Sequence, residues 1–429
     1  MPPVGLLQLL LGEEGGEPAS PFDRLPNEVV ADILDELFHG DEDYSPKLPD
    51  LLVNRRIFLV AKAVWHSSQT LDSEHLHRLV LAADVRPLVR RIAYTLSGEG
   101  VSSFKFETLS LTVFENLRTL SLTGPVHREL EPVAALPAAW SDALASLKHL
   151  RSLNLDFDED FELVDRTFSI GSHLPSLRSL SLGTSCLCKH QLLDYPCPNL
   201  QSLGLMWDVD VTASPFSVIP WTTLINLSVV LWDDKQTQVQ ADAGLAPLGQ
   251  LNSTTPAALP LRRLELADPI LLPPSVSPLL LGATSLQRLD LSPKAPSQMP
   301  IDFRPVPSPS TLVLHQTPSI FHDSEELYGL YQMLSIFPSL THLCLEDSGP
   351  EYPETAPDRQ SLEPNSPEFI LRYPALTALL AALTKTGITH LTWQTDPEMY
   401  RWTRSGVEAS FVGERWRGMS ASSWQWVGV

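Results

Sequence analysis

Three segments decide how this chain folds: FENLRTLSL (residues 114–122), LKHLRSLNL (147–155) and LPSLRSLSL (174–182). Apolar residues stand at the same three places in each: Leu117, Leu120 and Leu122, then Leu150, Leu153 and Leu155, then Leu177, Leu180 and Leu182. The last two places are two residues apart, so on an extended strand both side chains point the same way. The first lies on the turn leading in. The pattern returns in CPNLQSLGL (197–205), with Leu200, Leu203 and Leu205, and in WTTLINLSV (221–229), with Leu224, Leu227 and Val229. It returns again at Leu261, Leu264 and Leu266, at Leu286, Leu289 and Leu291, and at Leu340, Leu343 and Leu345. Weaker copies stand at Leu312–Leu314 and at Ile388, Leu391 and Trp393. Stacked in parallel, such strands bury one ladder of side chains, and the intervening segments cover its other side.

L-x-x-L-x-L is the strand half of a leucine-rich repeat, whose period is roughly 20–29 residues. First leucines at 150, 177, 200 and 224 are 27, 23 and 24 residues apart, within that range. The steps from 224 to 261 and from 340 to 388 are 37 and 48 residues, so insertions are expected near 233–260 and 347–367. The second of these, DSGPEYPETAPDRQSLEPNSP, is acidic and Pro-rich and reads as a solvated loop. Thirty-eight prolines are hostile to long helices, which leaves short helices, 3₁₀ turns and extended pieces between strands. The expected fold class is therefore α/β, with parallel strands on a concave face and short irregular elements on the convex one. Leu76-x-x-Leu79-x-Leu81 and Val89-x-x-Ile92-x-Tyr94 read as the first strands, separated by the Arg86-Pro87 turn.

Residues 21–72 read differently. They begin PFDRLPNEVVADILDELF and, after a loop, continue LPDLLVNRRIFLVAKAVWHSSQTL. Leu25, Val29, Ile33 and Leu37 recur every four positions, a stripe on one helical face. Pro26 suits a first helical turn, Asp23 can cap it, and Glu28 favours the positive end of the helix dipole. Leu51 to Trp65 carries a denser helical pattern. About fifty residues are too few to bury both faces, so part of this surface should meet a neighbouring domain or another protein.

Leu25-Pro26-x-Glu28-Val29, followed by Ile33-Leu34 and Leu37, resembles the opening of an F-box. Val53-Asn54-Arg55-Arg56-Ile57 is similar to that family's V-C-R-x-W segment, and Trp65 stands where the family often has a closing Trp or Tyr. Ile57 replaces the usual aromatic, and the acidic stretch from His39 to Asp50 lengthens the link between the helices. Taken with the repeats, the chain resembles F-box proteins with C-terminal leucine-rich repeats, of the kind found in basidiomycete fungi. The resemblance implies a substrate receptor of an SCF-type cullin–RING ubiquitin ligase. Its F-box would bind the Skp-type adaptor and through it cullin, and its repeats would bind the substrate protein. Leu25, Pro26, Glu28, Val29, Ile33, Leu34, Leu37 and Val53 would line or support the adaptor contact. A repeat scaffold with no ubiquitin-ligase role is the alternative.

The organisation expected is a disordered tail over 1–20, an F-box over 21–72, a repeat domain over 73–396 and a C-terminal cap over 397–429. That last stretch abandons the motif and holds Trp402, Trp416, Trp424 and Trp426, aromatics suited to covering an open repeat end. A net charge of −21 disfavours nucleic acid and anionic lipid as partners. Four cysteines form no disulfide framework, and MPPVGLLQLLL lacks the basic start of a signal peptide, so a cytoplasmic or nuclear setting is expected. No apolar run is long enough to span a membrane.

Signs of catalysis are lacking. There is no Gly-rich phosphate loop, G-x-S-x-G or H-E-x-x-H, and no enzyme activity or cofactor is expected. Cys186, Cys188, His190 and Cys197 are near one another, but their spacing is not that of a structural zinc site. The informative surface is the outward set on the strands. Small residues (Ser179, Ser181, Ser202, Gly204) give way to Arg263 and Glu265, Arg288 and Asp290, and then to His342 and His390. These six, with Trp232 as an aromatic anchor, are the substrate-binding candidates. Arg263 and Arg288, equivalent on consecutive strands, could form a small phosphate pocket.

Overall fold

The structure is a computed structural model. It describes residues 25–27, 29–31, 33–34, 55–71, 82–95, 112–123, 146–156, 174–183, 197–207, 220–231, 259–267, 276–291, 305–315, 324–347, 363–364, 366–395, 398–406 and 410–417. These residues form a mixed α/β protein in two units, residues 1–154 and 155–429, the division falling inside a strand.

In the first unit, residues 27, 29–31 and 33–34 are helical, and helix α1 spans Arg55–Trp65. Strands β1 (Ser68–Leu71), β2 (Arg91–Thr95) and β3 (Thr119–Thr123) follow, with β4 (Ser152–Asp156) at the boundary. The Val89-x-x-Ile92-x-Tyr94 segment is β2, with a 3₁₀ turn at Arg86–Leu88 before it. Ser68–Leu71, read as the end of the helical module, is instead the first strand, paired in parallel with β2. The reason is local: the Ser67 hydroxyl and the Gln69 amide donate to the Val64 and Trp65 carbonyls, over 2.7 and 2.9 Å, and so end α1. Leu76, Leu79 and Leu81 lie outside the described residues.

The second unit continues with β5 (Ser179–Leu182), β6 (Ser202–Trp207), β7 (Asn226–Leu231), β8 (Arg263–Ala267), β9 (Arg288–Leu291), β10 (Thr311–His315), β11 (His342–Asp347) and β12 (His390–Thr395). All these pairings are parallel and follow chain order. Helices α2 (Ser277–Gly282), α3 (Ser324–Ile336), α4 (Pro367–Arg372) and α5 (Pro374–Leu383) lie between strands. No described helix is long and apolar enough to cross a membrane.

Register explains the core. Leu203 pairs with Leu227, Leu227 with Leu264 and Leu264 with Leu289, and the column continues through Leu312 and Leu343 to Leu391. Each of these is at most 2% exposed, and burying a leucine is worth roughly 1.5–3 kcal/mol. The first apolar place is equally buried, as at Leu117, Leu150, Leu177, Leu200 and Leu224.

Sequence reading missed a fourth buried place. Three residues before the first leucine stand Phe114, Leu147, Leu174, Cys197, Trp221 and Phe337, all buried. In most repeats the leucine amide closes a turn on that residue's carbonyl, for example Leu150 on Leu147 over 2.9 Å and Leu200 on Cys197 over 3.0 Å. The next two amides then share the carbonyl of the preceding turn: those of Arg151 and Ser152 both donate to Arg118. This device is pure backbone, which is why it recurs with varied side chains.

The parallel run ends in an antiparallel hairpin, β13 (Glu398–Thr403) and β14 (Val412–Arg417), laid beside β12. Beneath it Phe369, Tyr373, Trp393, Tyr400 and Trp402 pack ring on ring, with centroids 4.9–6.4 Å apart.

Candidate protein-binding surfaces

The first surface lies on the helical pair near the N-terminus. Val30, Leu34, Ala61 and Val64 form its core, with Leu25, Ala31, Val60 and Trp65 packed around them. The buried stripe is thus Val30 and Leu34, one residue on from Val29 and Ile33, because α1 packs on that side. Leu34 is 1% exposed and Leu25 partly buried, so both support the pair from within. Val29 is 40% exposed, Pro26 is exposed and Ile33 half-buried. Leu59 on α1, 56% exposed, is a further apolar surface residue that sequence reasoning passed over. The side chains of Glu28, Leu37 and Val53 lie outside the described residues.

The second surface is the strand face of residues 155–429. Register builds three rows on it. One runs Ser202, Asn226, Arg263, Arg288, Thr311, His342, His390; the next runs Gly204, Ser228, Glu265, Asp290, Val313, Cys344, Thr392; the last holds His315, Glu346 and Gln394. All six described substrate candidates therefore share one face. Trp232 lies outside the described residues.

Outward parity does not guarantee exposure. Asp290 is completely buried, and Val313 and Cys344 are buried beside it. Arg263 Nε donates to Asp290 Oδ2 over 2.7 Å, and Arg288 Nε donates to Oδ1 over 2.8 Å. Arg263 Nη2 is also 3.4 Å from Glu265 Oε2. A buried carboxylate is costly unless paired, so both arginines are drawn onto it. They are neutralised in place and do not form the phosphate pocket that their spacing suggests.

His342 and His390 are stacked, with centroids 4.2 Å apart and planes 6° from parallel. Each Nδ1 lies 2.8 Å from the hydroxyl of the preceding threonine, Thr341 or Thr389. Those hydroxyls donate their one proton to the Ser310 and Thr341 carbonyls, so they accept from Nδ1–H. This network assigns the Nδ1–H tautomer to both rings and leaves both Nε2 atoms as acceptors. Burial lowers the pKa of both imidazoles, and the Arg401 charge lowers it further. His315 differs. Burial opposes its protonation, yet Glu346, 2.5 Å from Nδ1, outweighs it with help from Asp290 and Glu265, and the pKa rises. Sequence reading missed this pair because only the β10–β11 register brings the two together.

The two described cysteines, Cys197 and Cys344, are both buried. Burial raises the Cys197 thiol to about 11, at a core position, and raises Cys344 as well, aided by Glu346. Cys186, Cys188 and His190 lie outside the described residues.

No family model matches the chain, and no curated protein matches it. Among solved structures, a Bacteroides fragilis protein solved by crystallography in a structural-genomics programme is similar over 65% of this chain and 68% of its own. Identity is 14% and the TM-score 0.34, a likeness too weak to carry any argument.

Proposed function

We propose that the chain is a non-catalytic protein receptor: a leucine-rich repeat solenoid carrying an F-box-like helical module, serving an SCF-type cullin–RING ubiquitin ligase. In this reading the module binds the Skp-type adaptor and the strand face holds the substrate. One observation supports it: Val29 and Leu59 are large apolar residues exposed on a helical pair whose described core is Val30, Leu34, Ala61 and Val64, and they offer apolar surface to a partner. The motif matches then divide by burial. Val29, Pro26 and Ile33 contact the adaptor, whereas Leu25 and Leu34 hold the pair together. On the strand face, Asp290 and its two arginines form a rigid base, and His342, His390 and Glu265 offer polar groups to a partner. Catalysis belongs to a conjugating enzyme held nearby, since tethering raises the effective concentration of substrate lysines.

The test is capture of purified Skp-type adaptor by the full chain. Val29→Asp and Leu59→Asp, both at exposed positions, should abolish capture while far-UV circular dichroism stays unchanged. Wild-type protein that fails to capture adaptor, or variants that capture it normally, would leave the scaffold reading in its place.

A further inference from the structure

We propose that the strand-entry turns of residues 1–154 carry an arginine ladder, Arg90, Arg118 and Arg151, that binds an acidic extended segment of a partner protein. The three residues hold the same place in successive repeats, directly after the first apolar position. Their backbones are coupled: the Arg118 amide donates to the Arg90 carbonyl over 2.8 Å, and the Arg151 amide to that of Arg118 over 2.7 Å. Neighbouring strands lie about 4.8 Å apart, so the three side chains leave one edge at about that interval. All three are exposed, and among the described residues none has a carboxylate partner.

The turn does not need arginine. Gln201, Ile225, Gln287, Ser310 and Thr341 occupy the same place in residues 155–429 and make the same backbone connection, alongside two arginines there, Arg178 and Arg262. Where that side chain has structural work, it is a short hydroxyl: Ser310 and Thr341 donate to the carbonyl of the preceding turn. Arginine reaches past that carbonyl into solvent. Three unpaired guanidiniums in line also run against a chain whose net charge is −21. Exposed Lys148 adds to them, and the carboxylates described on the segments leading into these strands are Glu115 and Asp84, the latter paired with Lys62 over 2.9 Å.

A peptide carrying regularly spaced carboxylates, laid across the turns, meets a guanidinium fork at every repeat, and the fork matches a carboxylate in two parallel hydrogen bonds. A long polyphosphate would be repelled by the rest of this acidic chain, whereas a short acidic peptide carries little charge beyond the ladder. The proposal does not depend on adaptor binding.

The experiment uses the full chain and a fluorescein-labelled peptide of alternating Glu and Gly, read by fluorescence anisotropy beside the same peptide with Gln for Glu. The Glu peptide should bind, the Gln peptide should not, and added salt should weaken binding as screening shortens. Replacing all three residues (Arg90→Gln, Arg118→Gln, Arg151→Gln) should weaken it about tenfold or more, the scale of three surface ion pairs. Folding should survive, because Gln201 and Gln287 already serve in such turns. A charge-matched control at cations outside the strand-entry place, Lys235→Gln with Lys294→Gln and Lys385→Gln, should bind within about twofold of wild type. Equal binding of Glu and Gln peptides, wild-type binding by the ladder variant, or an equal loss in the control would each overturn the proposal.

Discussion

His315, His342 and His390 share one face, yet their surroundings push their protonation in opposite directions. His315 lies above the ordinary imidazole value of 6.5, so its pairing with Glu346 stabilises fully below pH 6.5 and is lost as pH rises through the folded-state value. His342 and His390 lie below 6.5; their neutral stack stabilises above pH 6.5 and is lost as pH falls through their folded-state values. The imidazole proton signals of His315, His342 and His390, assigned individually and followed by NMR across pH, should therefore titrate above 6.5 for the first and below it for the other two. Glu346→Gln should lower the His315 value, and Arg401→Gln should raise the other two. A His315 that titrates below 6.5 would refute the assignment. None of this is legible in sequence, where the three histidines sit on separate repeats and only strand register makes them neighbours. The same holds for Asp290: its parity reads outward, but two arginines from consecutive strands enclose it.

The elements at the C-terminal end turn on a residue that the sequence does not advertise. The stretch after residue 396 draws the eye to its tryptophans, but Arg404 is the buried charge, 5% exposed. Its Nε donates to the Ile388 carbonyl over 2.7 Å, Nη1 to the Thr384 carbonyl over 2.8 Å, and Nη2 to that of Thr386. Three carbonyls at and beyond the end of α5 thereby find donors, with a cation at the negative end of the helix dipole. The Phe411 ring lies 5.4 Å from its guanidinium carbon. Arg404→Met should cost roughly 2–4 kcal/mol, because it strips charge-assisted donors from buried acceptors. Arg404→Lys should recover little, since one ammonium cannot follow the planar fork. Urea denaturation decides, and a wild-type midpoint for the Met variant would rule the role out. Gly413 is constrained nearby: a Cβ there would lie 2.6 Å from both Pro364 Cβ and Trp402 Nε1, so the chain passes flat over the indole.

At the scale of the whole molecule, repeat stacking and the division into two units bear on cooperativity. Long arrays and multi-unit chains depart from two-state unfolding. Of the ten tryptophans, only Trp65 and Trp140 belong to residues 1–154. Tryptophan fluorescence therefore reports mainly on the second unit, whereas far-UV circular dichroism reports on both. Thermal unfolding followed by the two signals should give curves that do not superimpose, and coincident curves would show a single cooperative unit. The leucine spacing by itself determined that parallel strands stack in chain order, which residues line their core and where polar side chains face outward. It could do so because a two-residue alternation is a property of any extended chain. It could not determine the buried anchor before each turn, the closing hairpin, the Asp290 clamp or the His315–Glu346 pair. Those depend on which distant residues share a register or pack against a neighbouring element, and only the tertiary structure decides that.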